Sequence, residues 1–495
     1  VLAMFPQLPA GFIPPLWDIA LGEAKSDREP AQAALATVPN KAAKVLVALR
    51  DGKQSIRAAA AEWLGKIGDA SVLSPLKEAV RKEKQEVVKG AMMTALEALG
   101  ADVREFLDRD ALLAEAEAGL KKKRPRGMEW MPLERLPALH WQDNGQMVDP
   151  QIVRWWLVQS VQQKSPMCGP VLRRYLAMCR KHETAALAKF VLTSWIGRDT
   201  STPSHEEAAD AARKETDQRW AQYSQHQYWI DHYKGNKDNL YQQLFQEFSN
   251  KLLHSAINEK GMLALVAAAG DGECVRLCEQ YIRKWFGNRL SQCKCLVEVL
   301  AWIKHPLAIQ VLLSLANRFR TKVVQKTAGE HVQALADREG WTIDELADRT
   351  IPDAGFERPK DEAGQPIGGE AALVLDYGPR KFTVQLDDAL QPILRTEEGK
   401  TVKNPPTAGK QDDTDKAKAK AKAARKTFTD AKKTIKEVVK RQSERFYEFL
   451  CTQRDWRFED WRRYLADHPI AGKLCVRLAW AAVAPSPCPL PLGGE

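Results

Sequence analysis

The chain has 495 residues, 44% apolar and 28% charged, with a formal net charge of +10. That length supports several domains with a sizeable core, and the composition is ordinary for a globular protein. No apolar run approaches the roughly 18–20 residues of a membrane span, and nine irregularly spaced cysteines argue against a disulfide framework and predict reduced thiols in a cytoplasmic protein.

In chain order, the first signal is an internal repeat. Ser55–Val80 and Val87–Leu107 align at an offset of 32 residues: Ile56 with Val88, Arg57 with Lys89, Leu64 with Leu96, Ile67 with Leu99 and Gly68 with Gly100. Helical pairs of this length cannot bury both faces alone, so the offset predicts stacking into a solenoid. The small residues Ala58–Ala61 predict a close approach of neighbouring helices. Gly68 and Gly100 stand where a helix end calls for a left-handed residue, and Asp69 and Asp102 are expected to cap the next element in each repeat.

Ile56–Asp69 nearly spells the "VRxxAAxxLGxIGD" pattern, and on these residues the segment resembles HEAT repeats. The resemblance implies an α-solenoid used as a binding scaffold and names no partner.

Proline and glycine break the pattern between Lys121 and Pro150, which predicts a linker. It opens with the basic cluster Lys121–Arg126. From Asp149 a helical stripe resumes through Ile152, Val153, Trp156, Leu157, Val158 and Val161. Ser204 with Glu207 predicts a capped helix start. Next come Trp220, Tyr223, Tyr228, Trp229, Tyr233, Tyr241, Phe245 and Phe248; at helical spacing they predict packing between helices rather than a base-stacking surface. Leu290–Ile303 and Val323–Ala336 suggest a further repeat pair, with His305–Pro306 as a turn. Thr342 and Glu345 form a second capping box, and Pro352 stops that helix.

Periodicity then changes from helical to two. Phe382, Val384 and Leu386 alternate with Lys381, Thr383 and Gln385, which predicts a half-buried strand. Leu373–Asp376 is an expected earlier strand, and Pro392–Arg395 and Lys400–Lys403 are expected arms of a hairpin turning at Gly399. So small a meander must pack on helices. A long amphipathic helix comes next, with Phe428, Ile435, Val438, Val439, Phe446, Phe449 and Leu450 as the apolar stripe and lysines elsewhere. Between Lys400 and Leu450 there are 15 Lys/Arg against 7 Asp/Glu, so Lys432, Lys433 and Lys436 are candidate anion-binding residues.

Gly340–Pro352, Leu375–Asp387, the Asp-Asp entry into the Lys-rich helix, and Trp461–Trp480 together resemble the family known as domain of unknown function four-one-three-two, which includes MolR-type bacterial proteins. The resemblance runs from about Val153 to Trp480. It implies a bacterial protein of regulatory type and assigns no catalytic residue. After Trp480 the pattern gives way to a Pro-rich tail, 481–495, as expected of a truncated frame.

The expected fold is therefore mainly α: a HEAT-like α-solenoid with a small α+β module, an antiparallel meander, near residues 371–403. The expected divisions are repeats at 1–125, a linker at 126–150, a helical-repeat region at 151–350, loop and meander at 351–405, the basic and C-terminal helices at 406–480, and the tail. No phosphate-binding loop of the G-x-x-x-x-G-K-[ST] kind, no H-E-x-x-H around His182 or His205 and no G-x-S-x-G elbow occurs. Cys274, Cys278, Cys293 and Cys295 are the weak candidates for a metal site, and small core residues on helices are the preferred reading. Asp376, Tyr377 and Arg380 are a candidate binding trio at the turn before the central strand. No cofactor is expected. The expected function is a non-enzymatic scaffold binding proteins. The alternatives are a nucleic-acid-linked regulator using helix 416–445, or an enzyme whose active site lies in an absent C-terminal half. No membrane role is expected.

Overall fold

The computed structural model describes residues 8–22, 24–121, 125–358, 370–377, 380–402, 404–405 and 415–482. The chain forms two compact units, and passes from the first to the second at His305–Pro306, the expected turn.

The first unit is helical. It begins with α1 (Ile13–Ala20), α2 (Lys25–Ala34), α3 (Lys41–Ala48), α4 (Gln54–Ile67), α5 (Leu73–Lys82), α6 (Glu86–Ala98) and α7 (Arg109–Leu120). It continues with α8 (Pro150–Gln163), α9 (Pro170–Ala177), α10 (Lys181–Asp199), α11 (His205–Tyr223), α12 (Gln227–His232), α13 (Lys237–Ser249), α14 (Leu263–Ala269), α15 (Gly272–Trp285) and α16 (Leu290–Trp302).

The repeat offset is visible in the structure. Helices α4 and α6, which start 32 residues apart, pack directly on one another. Ala59, Ala60, Ala61 and Leu64 are buried on one, and Val88, Met92, Ala95 and Leu96 on the other. A Cβ placed on Gly65 would stand 3.1 Å from the Ala95 Cα, so the helix axes come as close as the smallest side chain allows. Gly68 (φ 74°) and Gly100 (φ 81°) take the left-handed conformation expected of them. The Asp69 and Asp102 carboxylates each accept a backbone N–H two residues on, at 2.9 Å.

The expected linker carries no helix longer than one turn of 3₁₀ (Leu133–Arg135), yet it is packed. Met128, Met131, Leu133, Leu139, Trp141 and Val148 are buried, and bridges join His140 to Met147 and Trp141 to Cys179. Asp149 caps α8 through the Gln151 N–H. Helices α11 and α13 form a hairpin with a small core of its own, Ala212, Tyr233, Leu240 and Leu244. Its start carries the full capping box of Ser204 and Glu207. The aromatic rings pack on each other, as their spacing predicts: Tyr223 stacks on Trp229 with centroids 4.3 Å apart.

The second unit holds α17 (Pro306–Arg318), α18 (Lys322–Glu339), α19 (Ile343–Arg349), a sheet, α20 (Asp415–Thr452), α21 (Phe458–Asp460), one π-helical turn (Trp461–Ala466) and α22 (Ala471–Cys475). Thr342 and Glu345 complete their capping box. The sheet is a four-stranded antiparallel meander of β1 (Leu373–Asp376), β2 (Lys381–Leu386), β3 (Pro392–Thr396) and β4 (Thr401–Val402). Its register sets Leu375 opposite Phe382, and Val384 opposite Leu394. Gly399 turns the last hairpin at φ 78°.

One face of the meander closes on α20. Leu375, Phe382, Val384 and Leu394 share a core with Ala424, Phe428, Ile435 and Val438. That contact supplies the burial which a sheet of this size lacks by itself. Leu450 departs from the expected stripe and is 62% exposed. It lies about 100° round the helix from Phe449, past the edge of the buried face.

Because α4 and α6 meet at the smallest possible spacing, Gly65→Leu is expected to lower the denaturation free energy of the first unit by about 1–3 kcal/mol through overpacking. Chemical denaturation followed by far-ultraviolet circular dichroism measures this. An unchanged midpoint would show that the helices are not held this close.

Candidate interaction surface

A groove of about 470 Å3 opens on the repeat block. Leu46, Val47 and Leu49, on and just after α3, form one wall, and Pro75 and Ala79 of α5 form the other. Met92 of α6 lies at its base. The rim is charged with both signs: Arg50 and Lys82, Asp51 and Glu78. Val47 is 71% exposed although it is apolar, which is the kind of surface group a partner can cover.

Arg57 and Glu83 line the groove as an ion pair. The Arg57 guanidinium pairs with Glu83 through Nε–Oε2 at 2.8 Å and Nη2–Oε1 at 3.2 Å. It also donates to the carbonyls of Asp51 and Gly52. One side chain thus ties the loop before α4 to the loop before α6. The arrangement repeats at the 32-residue offset: Asp51 accepts the Lys53 N–H at 2.7 Å, and Glu83 accepts the Gln85 N–H at 2.8 Å. Burial pushes the Glu83 carboxyl up, but the Arg57 hydrogen bonds, the backbone N–H groups and the Arg57 charge together hold it below its ordinary value. Glu83 therefore stays ionised and the clamp closed at neutral pH.

The other candidate residues fall elsewhere. Cys274 and Cys278 are buried in α15, and Cys293 and Cys295 in α16. Burial pushes the Cys274, Cys293 and Cys295 thiols up to about 12, and Cys278 well above its ordinary value. These are protonated core thiols, poor metal ligands as they stand. Among the described residues, no group of three or more His, Cys, Asp or Glu is placed to hold a metal ion.

Asp376 pairs with Lys420 of α20 at 2.8 Å. Tyr377 is fully buried with its ring 5.0 Å from Phe382, edge to face. The Tyr377 N–H donates to the Arg380 carbonyl at 2.9 Å across the turn. The trio is thus contiguous, with Tyr377 in the core. Lys432, Lys433 and Lys436 are exposed on α20, and Lys432 stands 5.2 Å over the Phe428 ring. Residues 364–369, a Gly-rich segment without the Lys-Ser/Thr of a phosphate-binding loop, lie outside the described residues.

Three buried polar centres have no counterpart among the residues singled out from sequence. Asp348 of α19 accepts Arg445 at 2.6 Å, Arg454 at 2.6 Å and the Trp456 indole N–H at 2.9 Å. Asp199, fully buried at the end of α10, accepts the Ala256 N–H, the Tyr281 hydroxyl and the Gln292 amide. Arg289 adds an ion pair at 3.4 Å. Both carboxylates are saturated by donors, so neither is free to act as a base. His468 accepts the Ile470 and Ala471 N–H groups at Nδ1, and Nε2 lies 3.2 Å from the Ile351 carbonyl. The ring is therefore the neutral Nε2–H tautomer and caps α22. Both nitrogens are occupied, which leaves none for a metal. The only trace of these centres in the sequence is a polar residue set within an apolar run, as Asp348 is beside Leu346 and Ala347.

The comparisons with known proteins fit this architecture. The family model for HEAT repeats matches residues 13–100, the stretch from α1 to the end of α6. The model for Domain of unknown function (DUF4132) matches residues 399–490, which includes α20 to α22. The chain is 28% identical over 184 residues to the uncharacterized protein YehI of Escherichia coli (strain K12). That stretch is 37% of this chain and 14% of the length of YehI. No solved structure matches the chain. Among the described residues, no helix is long and apolar enough to cross a membrane.

The caging of His468 has a direct consequence. Burial lowers its pKa to about 4, against the Ile351 hydrogen bond and the Asp353 charge, which favour the proton. The folded ring resists a proton that the unfolded chain takes up near its ordinary value, so the second unit loses stability as pH falls from about 6.5 toward 4. In an NMR titration the His468 ring signals are expected to stay constant from pH 8 to 5. A midpoint near 6.5 would show that the ring is open to solvent.

Proposed function

We propose that this chain is a non-catalytic scaffold whose HEAT-repeat block docks a protein partner along the groove between α3 and α5. The observation that carries this is the groove itself, with an apolar lining, a rim of mixed charge and the Arg57–Glu83 ion pair along it. Such a surface suits a peptide or helix that brings apolar anchors to the centre and polar groups to the edge. Stacked repeats need no catalytic group to do this, since they present a rigid surface built from several helices. Mixed charge on the rim favours register over raw attraction. The DUF4132 region belongs in this reading as a second folded body on the same chain. The saturation of Asp348, Asp199 and His468 by internal donors and acceptors supports structural roles for the buried polar groups.

Site-specific photo-crosslinking in cells tests the docking surface. A photoreactive residue at Val47 or Glu78 is expected to give one discrete adduct, and the same residue at exposed Glu117 of α7 none. Val47→Asp should abolish the adduct formed from position 78. Equal labelling at all three positions, or none at 47 and 78, would contradict the proposal.

A further inference from the structure

We infer that the outer face of α20 binds the phosphodiester backbone of a nucleic-acid duplex, independently of the groove on the repeat block.

Helix α20 has two faces of opposite character. Ala421, Ala424, Phe428, Ala431, Ile435 and Val438 are buried against the sheet and the C-terminal helices. On the other side, between Lys418 and Lys440, eight Lys and Arg residues are exposed. At 100° per residue they fall within an arc of about 120°, and at 1.5 Å per residue the stripe is about 33 Å long. Six of them, Lys422, Arg425, Lys426, Lys433, Lys436 and Lys440, make no ion pair among the described residues. Within this span the helix has two acids, Asp430 and Glu437, both half-buried on the flank.

The close spacing of these like charges works against the helix. Lys418 with Lys422, Lys422 with Lys426, Lys432 with Lys436, and Lys436 with Lys440 are like charges four residues apart, an arrangement that destabilises a helix. A polyanion laid along the stripe removes that repulsion and releases its own counterions. The buried face holds the helix in place, so the cations are set along a line before any ligand arrives. The length of that line is close to one turn of duplex, about 34–36 Å.

Two other kinds of partner fit less well. A membrane-surface helix inserts its apolar face between lipid headgroups, and here that face is already covered by the sheet. A protein partner calls for apolar or aromatic anchors. Between Lys418 and Lys440 the exposed positions are Lys, Arg, Ala and Thr, with no large apolar residue.

The test is fluorescence anisotropy of the full chain with a labelled duplex of about 24 base pairs, as DNA and as RNA, across a salt series. The expected result is binding in the micromolar range at 50 mM salt, lost steeply as salt rises. Neutralising Lys432, Lys433 and Lys436 together, each as Lys→Gln, is expected to weaken binding at least about tenfold. The log–log salt slope should fall by about 2 to 3, one phosphate contact per lysine. A control neutralising exposed Lys181, Lys214 and Lys326 should leave both values near wild type. These are surface positions, and circular dichroism confirms folding in each variant. The inference is overturned by no binding at 50 mM salt, by equal losses in the two triple variants, or by polyglutamate or anionic vesicles binding as tightly as the duplex.

Discussion

The first unit depends on how close α4 and α6 come. Alanines at 59–61 and glycine at 65 leave so little side chain between them that Gly65 faces the Ala95 backbone directly. The loops before the two helices are thereby held near enough for one arginine to span them. A larger spacing would carry Glu83 beyond the reach of Arg57, and the bidentate pair would be replaced by a buried carboxylate without a counter-charge. That is a costly state. Small residues, loop geometry and ion pair thus act together, and the groove is their by-product: α3 and α5 are attached to α4 and α6 and inherit the repeat spacing.

The second unit solves a different problem. A four-stranded meander is too small to stand alone in water, and α20 is too polar to be stable as an isolated helix at its lysine-rich end. Each supplies what the other lacks. The sheet offers an apolar face, and the helix offers a long complementary stripe of Ala, Phe, Ile and Val. At the far end of the helix, Asp348 draws in Arg445, Arg454 and Trp456, and the Phe449 ring lies within 5.0 Å of both guanidiniums. A polar centre at one end and an apolar seam along the rest fix the rotation of α20 about its axis. That rotation determines which residues are presented outward.

Features coded by neighbouring residues were legible in the sequence. The capping boxes at Ser204 and Thr342, the left-handed glycines at 68 and 100, and the period-two alternation around Val384 are each set within a few positions, and each appears in the structure. Leu450 shows the limit: it fits an apolar helical stripe by spacing, but the buried face is narrower than the stripe. Contacts between residues distant in the chain were not legible. Asp348 meets Arg445 across 97 positions and Asp199 meets Gln292 across 93, and no local pattern announces either. The groove is of this second kind. Its walls come from α3 and α5 and its base from α6, so its residues form no motif. The lysines of α20 were legible as a charged run. Their confinement to one face, with the acids on the flank, emerges only when the buried side of the helix is known.

Native-state hydrogen exchange at low denaturant tests the central claim most directly, because it reports whether two helices open together. If α4 and α6 form one interlocked body, the amides of Ala59–Leu64 and Met92–Leu96 share a single opening free energy and the same denaturant dependence, distinct from those of the α11–α13 hairpin. If the two sets open at different free energies with different denaturant slopes, the helices are separate elements and the repeat spacing does not fix the groove.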